Sequence, residues 1–126
     1  MKEYILLVRN NATHKDSFSG EVEKEFLQKC RIYIDKLKKD GRLISAQPIQ
    51  RDGVLLSGST HSWKEIPYNE HQEVIVGYYH ILANDLQDAI EIAKGNPEFE
   101  YGNTARVEVR PIKMKEESTG YIYPKQ

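Results

Sequence analysis

The side chains able to do chemistry in this sequence are few: His14, His61, His71 and His80, the single cysteine Cys30, and the alternating Arg106, Glu108 and Arg110. A zinc site needs closely repeated ligands, and the four histidines have neither an i, i+4 spacing nor cysteines beside them. His61 and His71 share one stretch with Glu65 and Glu70, but that donor set also fits an ordinary surface loop, so no metal is expected. His80 differs because it sits inside the apolar run EVIVGYYHILA, where an imidazole must find a hydrogen-bond partner and is able to carry a proton. Cys30 becomes a nucleophile only as a thiolate, and otherwise packs as a small apolar group. Arg106 and Arg110 suit the grip of a carboxylate or phosphate, with an ion pair between subunits or a solvated strand face as the plainer role. Tyr68, Tyr78, Tyr79 and Trp63 add aromatic surface of the kind that walls small-molecule pockets.

The elements that must position these groups follow from periodicity. Residues 3–9, EYILLVR, and 73–83 are rich in β-branched and aromatic residues, and their alternating sets are apolar on both sides, which predicts strands covered twice. Strict alternation in the second puts Val74, Val76, Tyr78, His80 and Leu82 on one face and Ile75, Gly77, Tyr79, Ile81 and Ala83 on the other. Between them, Val22, Phe26, Cys30, Tyr33, Ile34 and Leu37 recur at helical spacing over residues 20–39, with acids near the start and lysines near the end. RLISAQPIQ reads as the next strand, and Asp52–Gly53 as a hairpin turn returning it through VLLSGS. Residues 57–72 read as a long irregular loop, a place where function concentrates. Asn84 or Asp85 can cap a second helix bearing Leu86, Ala89, Ile90 and Ala93, ended by Gly95 and Pro97. The final strand, ARVEVRPI, sets Val107 and Val109 against Arg106, Glu108 and Arg110.

The order strand, helix, strand, strand, helix, strand is the ferredoxin-like α+β arrangement, with both helices on one face of an antiparallel sheet. The expected division is one domain over 1–126, with a core at 1–112 and a tail at 113–126 that carries Tyr121, Ile122 and Tyr123. Strands apolar on both faces leave the uncovered face in need of a partner, so a homodimer with packed sheets is expected. The 18 basic and 19 acidic residues nearly cancel, which argues against nucleic acid or an anionic membrane as partner. No apolar run approaches the ~20 residues of a membrane span, and the start MKEYILLVRN lacks the features of a secretory signal, so a cytoplasmic protein is expected.

Four segments in order, EYILLVR, DGRLISAQP, PYNEHQEVIVGYYHILANDLQDAIEIAKGNP and VEVRPI, resemble the YCII-related family of the dimeric α+β barrel superfamily. The resemblance extends to its DGPF-motif branch, where Pro67, Glu70 and Glu73 match and Glu65, Ile66, Tyr68 and Gln72 are substitutions. It implies the ferredoxin-like fold and a dimer. It also implies that Cys30 and Asn96 occupy the positions where simple members carry a His and an Asp proposed for acid–base chemistry. Asn96 does not titrate, and Cys30 would need a depressed pKa to act as base.

Three readings of function follow. The first is a homodimer with a pocket for a small organic ligand, anionic where Arg106 and Arg110 take part, with Tyr78, Tyr68, Trp63 and Asn96 at its walls. The second is a cofactor-independent lyase, isomerase or hydrolase acting on a small cyclic or aromatic compound, with His80 as proton carrier, Glu70 as orienting carboxylate, Arg110 as anion grip and Cys30 as a further candidate. The third is a protein-binding regulatory module that uses the 57–72 stretch and the aromatic tail.

Overall fold

A computed structural model describes residues 1–67 and 72–124. Among the described residues, six strands and two helices follow one another as β1 (Lys2–Asn11), α1 (Gly20–Lys39), β2 (Leu43–Pro48), β3 (Val54–Ser59), β4 (Ser62–Pro67), β5 (Glu73–Ala83), α2 (Leu86–Lys94) and β6 (Arg106–Pro111). One-turn 3₁₀ helices at His14–Ser17 and Pro97–Glu100 precede α1 and follow α2. The main sheet has the order β2-β5-β1-β6 with every pairing antiparallel, the ferredoxin-like topology, while β3 and β4 form a separate two-stranded ribbon. Among the described residues, no helix is long and apolar enough to cross a membrane.

Local chemistry sets the helix ends. The Ser19 hydroxyl accepts from the Val22 amide at 3.2 Å to start α1, where Glu21 and Glu23 meet the positive end of the helix dipole. Lys36, Lys38 and Lys39 lie at its other end, and Gly41 turns the chain with a φ of 70°. Asp85, rather than Asn84, caps α2 by accepting from the Asp88 amide at 2.8 Å. Asp88 in turn binds Arg42 at 2.6 Å and so ties the start of β2 to α2.

Tyr4, Leu6 and Val8 of β1 pack with Val74, Val76, Tyr79, Ile81 and Ala83 of β5 beneath Leu37 of α1 and Ala89 and Ala93 of α2. Leu86, expected on the inner stripe of α2, is exposed instead. The strict alternation expected in β5 is also broken. Val8 pairs with Gly77 and Arg9 with Ile75, so Val76 is an extra residue in the ladder. A bulge of this kind flips the phase of everything beyond it. Val74 and Val76 therefore share the helix side with Tyr79, Ile81 and Ala83. The other face carries Ile5, Leu7, Ile75, Tyr78, His80 and Leu82, which are half-buried.

The hairpin expected at Asp52–Gly53 does not form. After Pro48 the chain keeps one further bond to β5, from the Ile49 amide to the Val76 carbonyl at 2.9 Å. It then crosses the open face of the sheet, where Ile49, Asp52, Gly53 and Val54 border a groove with Ile5, Leu7, Ile75 and Tyr78. The competing turn at Thr60–His61 pairs β3 with β4, so much of the stretch expected to be irregular is a ribbon. Gly58 secures it: at φ 123° and with only 2.0 Å between a built Cβ and the Ser62 carbonyl oxygen, no larger residue fits there.

Leu6 is fully enclosed between the helices and the middle of the sheet. Replacing it by Ala is expected to cost about 2–5 kcal/mol of unfolding free energy. Urea denaturation of the two proteins at equal concentration measures the difference.

Candidate functional site

A cavity of about 420 Å³ opens between α1 and the β2–β5 half of the sheet. Its apolar lining comes from Val8 of β1, Phe26 and Ile34 of α1, and Val76 and Tyr79 of β5. Phe26, Cys30 and Ile34 lie four residues apart, so a single stripe of α1 delivers all three to the same space. Gly77 at the bulge brings β5 against β2, since a Cβ there would meet the Gln47 carbonyl oxygen at 3.2 Å.

One end of this cavity is polar and buried. Asn96 caps the 3₁₀ turn after α2, its side-chain oxygen accepting from the Glu98 amide at 2.8 Å. That cap orients Glu98, a carboxylate only 6% exposed, towards the end of β1. Asn10, with 0% exposure, donates its amide to Glu98 Oε2 at 2.8 Å, while its own oxygen accepts from the Asn11 amide at 2.8 Å and from Thr104 Oγ1 at 2.7 Å. His14 Nε2 lies 3.9 Å from the same carboxylate oxygen and is buried without a hydrogen-bond partner among the described residues. Buried polar groups are normally paired, and here Asn10, Asn96, Glu98 and Thr104 satisfy one another at the rim of an apolar space.

Cys30 and Asn96 meet in this cavity. Asn96 is a capping residue, and the ionisable group that it positions is Glu98. Burial first, and then the Glu98 carboxylate, push the Cys30 thiol up to about 11, with Lys15 acting in the opposite sense. At pH 7 only about one thiol in ten thousand is then ionised, so Cys30 is a neutral wall of the cavity and not a resting nucleophile. Burial likewise raises the Tyr79 phenol.

Cations surround the opening. Lys15, from the turn before α1, stands over the Phe26 ring at 4.9 Å. Arg51 follows β2, and its Nε is buried without a hydrogen-bond partner among the described residues. With Arg31 and Lys38 this makes four cationic residues against two acidic ones, Asp35 and Glu98, an excess of two positive charges in a chain whose net charge is −1. Arg31 and Asp35 stand in a loose ion pair at 3.8 Å on the surface, which leaves Lys15, Lys38 and Arg51 as the other cations of the lining.

The other nominated residues lie elsewhere. His80, Tyr78, Arg106 and Arg110 are on the opposite face of the sheet. His80 and Arg110 flank Ile5 from its two neighbouring strands, roughly 10 Å apart. His80 Nε2 is hydrogen-bonded to Glu3 Oε1 at 2.7 Å, and Tyr78 shares a 3.0 Å bond with Ser45. Trp63 stands on the ribbon at 64% exposure, opposite Gly58. Tyr68, Glu70 and His71 lie outside the described residues. Among the described residues no three His, Cys, Asp or Glu side chains converge as a metal-binding set.

Glu98, Asn10, Lys15 and Arg51 were not legible as site residues from the sequence. The one available signal was the run Asn96-Pro97-Glu98, an Asx cap with Pro at the first turn position, which predicts the turn but not that its acid is buried. Native Cys30 is expected to react slowly with iodoacetamide at pH 7 and faster as the pH approaches 11. Glu98→Gln, by removing a negative charge beside the thiol, is expected to speed the reaction several-fold at fixed pH. An unchanged rate in a folded variant would show that the carboxylate and the thiol do not share the cavity.

No curated protein matches the sequence at a significant level. The family comparison does find a match: the YCII-related domain aligns with residues 2–113, from β1 through the end of β6. A match over nearly the whole described fold identifies it as a member of the YCII-related family.

Proposed function

We propose that this protein binds a small organic anion in the cavity beneath α1. The observation that carries the reading is the pairing of an apolar space of about 420 Å³ with an uncompensated set of cations at its opening. Such a volume holds a compound of one or two rings, and aromatic or aliphatic walls with a few convergent polar groups are the usual make-up of a ligand pocket. Lys15 and Arg51 would meet the acid group of the ligand, Phe26 and Tyr79 its body, and Asn96 and Glu98 a donor at its far end. The site expected from the sequence, built on Arg106 and Arg110, is less favourable. Arg106 and its neighbour Arg9 are already engaged by Glu73 at 3.6 and 2.7 Å, and Arg9 also by Glu108 at 3.3 Å.

Glu98 supports a second reading, cofactor-independent lyase, isomerase or hydrolase chemistry on a small cyclic or aromatic acid. A buried carboxylate held by Asn10 beside a ligand space is equipped to take and return a proton, the part that Asn96 cannot play. The finer placement in the DGPF-motif branch rests on Pro67, Glu70 and Glu73 and belongs to the same proposal. So does the homodimer. Ile5, Leu7, Ile75 and Leu82 make the open face of the sheet apolar at its centre, and a second sheet packed there would bury them.

A thermal-shift comparison of aromatic carboxylic acids with their neutral amides tests the ligand reading. Acids at ten times their dissociation constant are expected to raise the Tm by several degrees, and the amides much less. Lys15→Ala with Arg51→Ala should abolish the difference. Equal responses to acids and amides, or none to either, would remove the anion site. Sedimentation at micromolar concentration is expected to show the dimer; a lone 14.6 kDa species would dismiss the homodimer.

A further inference from the structure

Glu98 is the most deeply buried carboxylate among the described residues, and the chain leaves its charge half answered. Asn10 Nδ2 donates to Oε2 at 2.8 Å, and no other side chain among the described residues hydrogen-bonds the carboxylate. His14 Nε2, 3.9 Å from the same oxygen, is too distant for a hydrogen bond and is itself buried without one. Among the described residues, no lysine or arginine forms an ion pair with Glu98, and Lys15 stands instead over the Phe26 ring at 4.9 Å. A buried carboxylate with a single neutral donor keeps its charge at a cost in desolvation, which a cation arriving from outside offsets. The charge is felt inside the cavity, because Glu98 lines it and raises the Cys30 thiol there.

Arg51 marks the other end of the same space. Asn10 pairs with Val74 on one side of β5, and on its other side the Ile49 amide donates to the Val76 carbonyl at 2.9 Å. Glu98, held by Asn10, and Arg51, two residues beyond Ile49, therefore approach the cavity from strands two spacings apart, roughly 10 Å. Arg51 Nε is buried without a hydrogen-bond partner among the described residues, so each end presents an unanswered charge of opposite sign. Between them lie the apolar side chains of Phe26, Val76 and Tyr79.

We infer that the ligand of this cavity is a zwitterion, a ring acid with an amino group opposite its carboxylate, the carboxylate set at Arg51 and the ammonium at Glu98. The inference rests on the anion site proposed above and names what the ligand carries at its far end. A hydroxyl there would supply the second donor and leave the negative charge uncancelled, whereas an ammonium supplies both. Length agrees. One six-membered ring between the two charged groups, with a charge-assisted hydrogen bond of roughly 2.8 Å at each end, spans a gap of this order.

Two probes of the same shape, 4-(aminomethyl)benzoate and 4-ethylbenzoate, differ only in the charged end. Isothermal titration of the full chain at pH 7 is expected to show the amine binding about tenfold tighter or more, because the ethyl compound leaves the buried carboxylate without its new partner. Glu98→Gln should erase that difference, and Arg51→Ala should weaken both probes alike. Equal binding of the two probes to the native chain, or weaker binding of the amine, would overturn the zwitterion and leave the anion site standing. Binding of neither would overturn both. A preference for the amine that survives in Glu98→Gln would overturn the assignment of Glu98. Should circular dichroism show that variant unfolded, Glu98→Asp decides: it keeps the charge but withdraws it by one carbon, so the preference should shrink, and an unchanged preference would overturn the assignment.

Discussion

One extra residue in β5 decides which side chains meet beneath α1. Without the bulge at Val76, the strand would carry Tyr78, His80 and Leu82 on the same side as Val74, and Tyr79 and Ile81 would turn away from the helices. The core would then have to enclose an imidazole and expose an isoleucine that is now fully buried. Burial of Ile81 and Tyr79 against α1 and α2 outweighs the one unpaired ladder position, since each large apolar side chain contributes roughly 1.5–3 kcal/mol when enclosed. The same offset puts the small Gly77 where β5 and β2 converge and leaves space beneath Cys30. Sheet register, core and cavity are thus one solution to a single packing problem.

The polar end of the cavity obeys a different constraint. Taking a carboxylate out of water is unfavourable unless donors replace the solvent. Asn10 supplies one side-chain donor to Glu98, and Asn96 fixes the turn that presents it. Both partners are neutral, so the negative charge is held without being cancelled. A carboxylate held in this way remains available to a hydrogen-bond donor entering the cavity, and its field is felt by the thiol across the space.

Much of the framework was readable from local chemistry. The stripe Val22–Leu37 defines α1 because helix geometry is set by residues three and four apart. The strands at residues 3–9, 42–50, 73–83 and 105–112 stand out because β-branched and aromatic residues cluster there. The features that escaped depend on distant residues. Whether Asp52–Gly53 closes a hairpin depends on competition with Thr60–His61 for the same strand, and turn composition alone does not rank the two. The bulge is invisible to periodicity because shifting every later residue by one leaves an apolar run just as apolar. Glu98 looked like a surface acid because its burial is conferred by Asn10, 88 residues earlier in the chain. Cys30 stood out as the single cysteine and Asn96 came to notice only through family resemblance; that both line one cavity depends on the packing of α1 against the turn after α2.

The two faces of the sheet handle charge in opposite ways, and this separates their roles. On the open face Arg9 and Arg106 stand directly opposite each other, a repulsive placement, and Glu73 reaches both at 2.7 and 3.6 Å. Glu108 adds a further bond to Arg9, and Glu3 occupies His80. Arg9 and Arg106, satisfied in this way, attract no free anion strongly. Beneath α1 the balance is reversed: the acid is deep and singly held, while Lys15 and Arg51 stand at the opening without carboxylate partners there among the described residues. A ligand that brings an anionic group to the opening and a polar atom to Glu98 completes both sets at once. The exchange of water for such a ligand strengthens every one of these contacts, because the surrounding walls are apolar and lower the local dielectric. The proposed association through one face and the proposed ligand beneath the other are therefore compatible in one short chain, since the sheet that separates them is filled at its centre by Leu6 and Ile81.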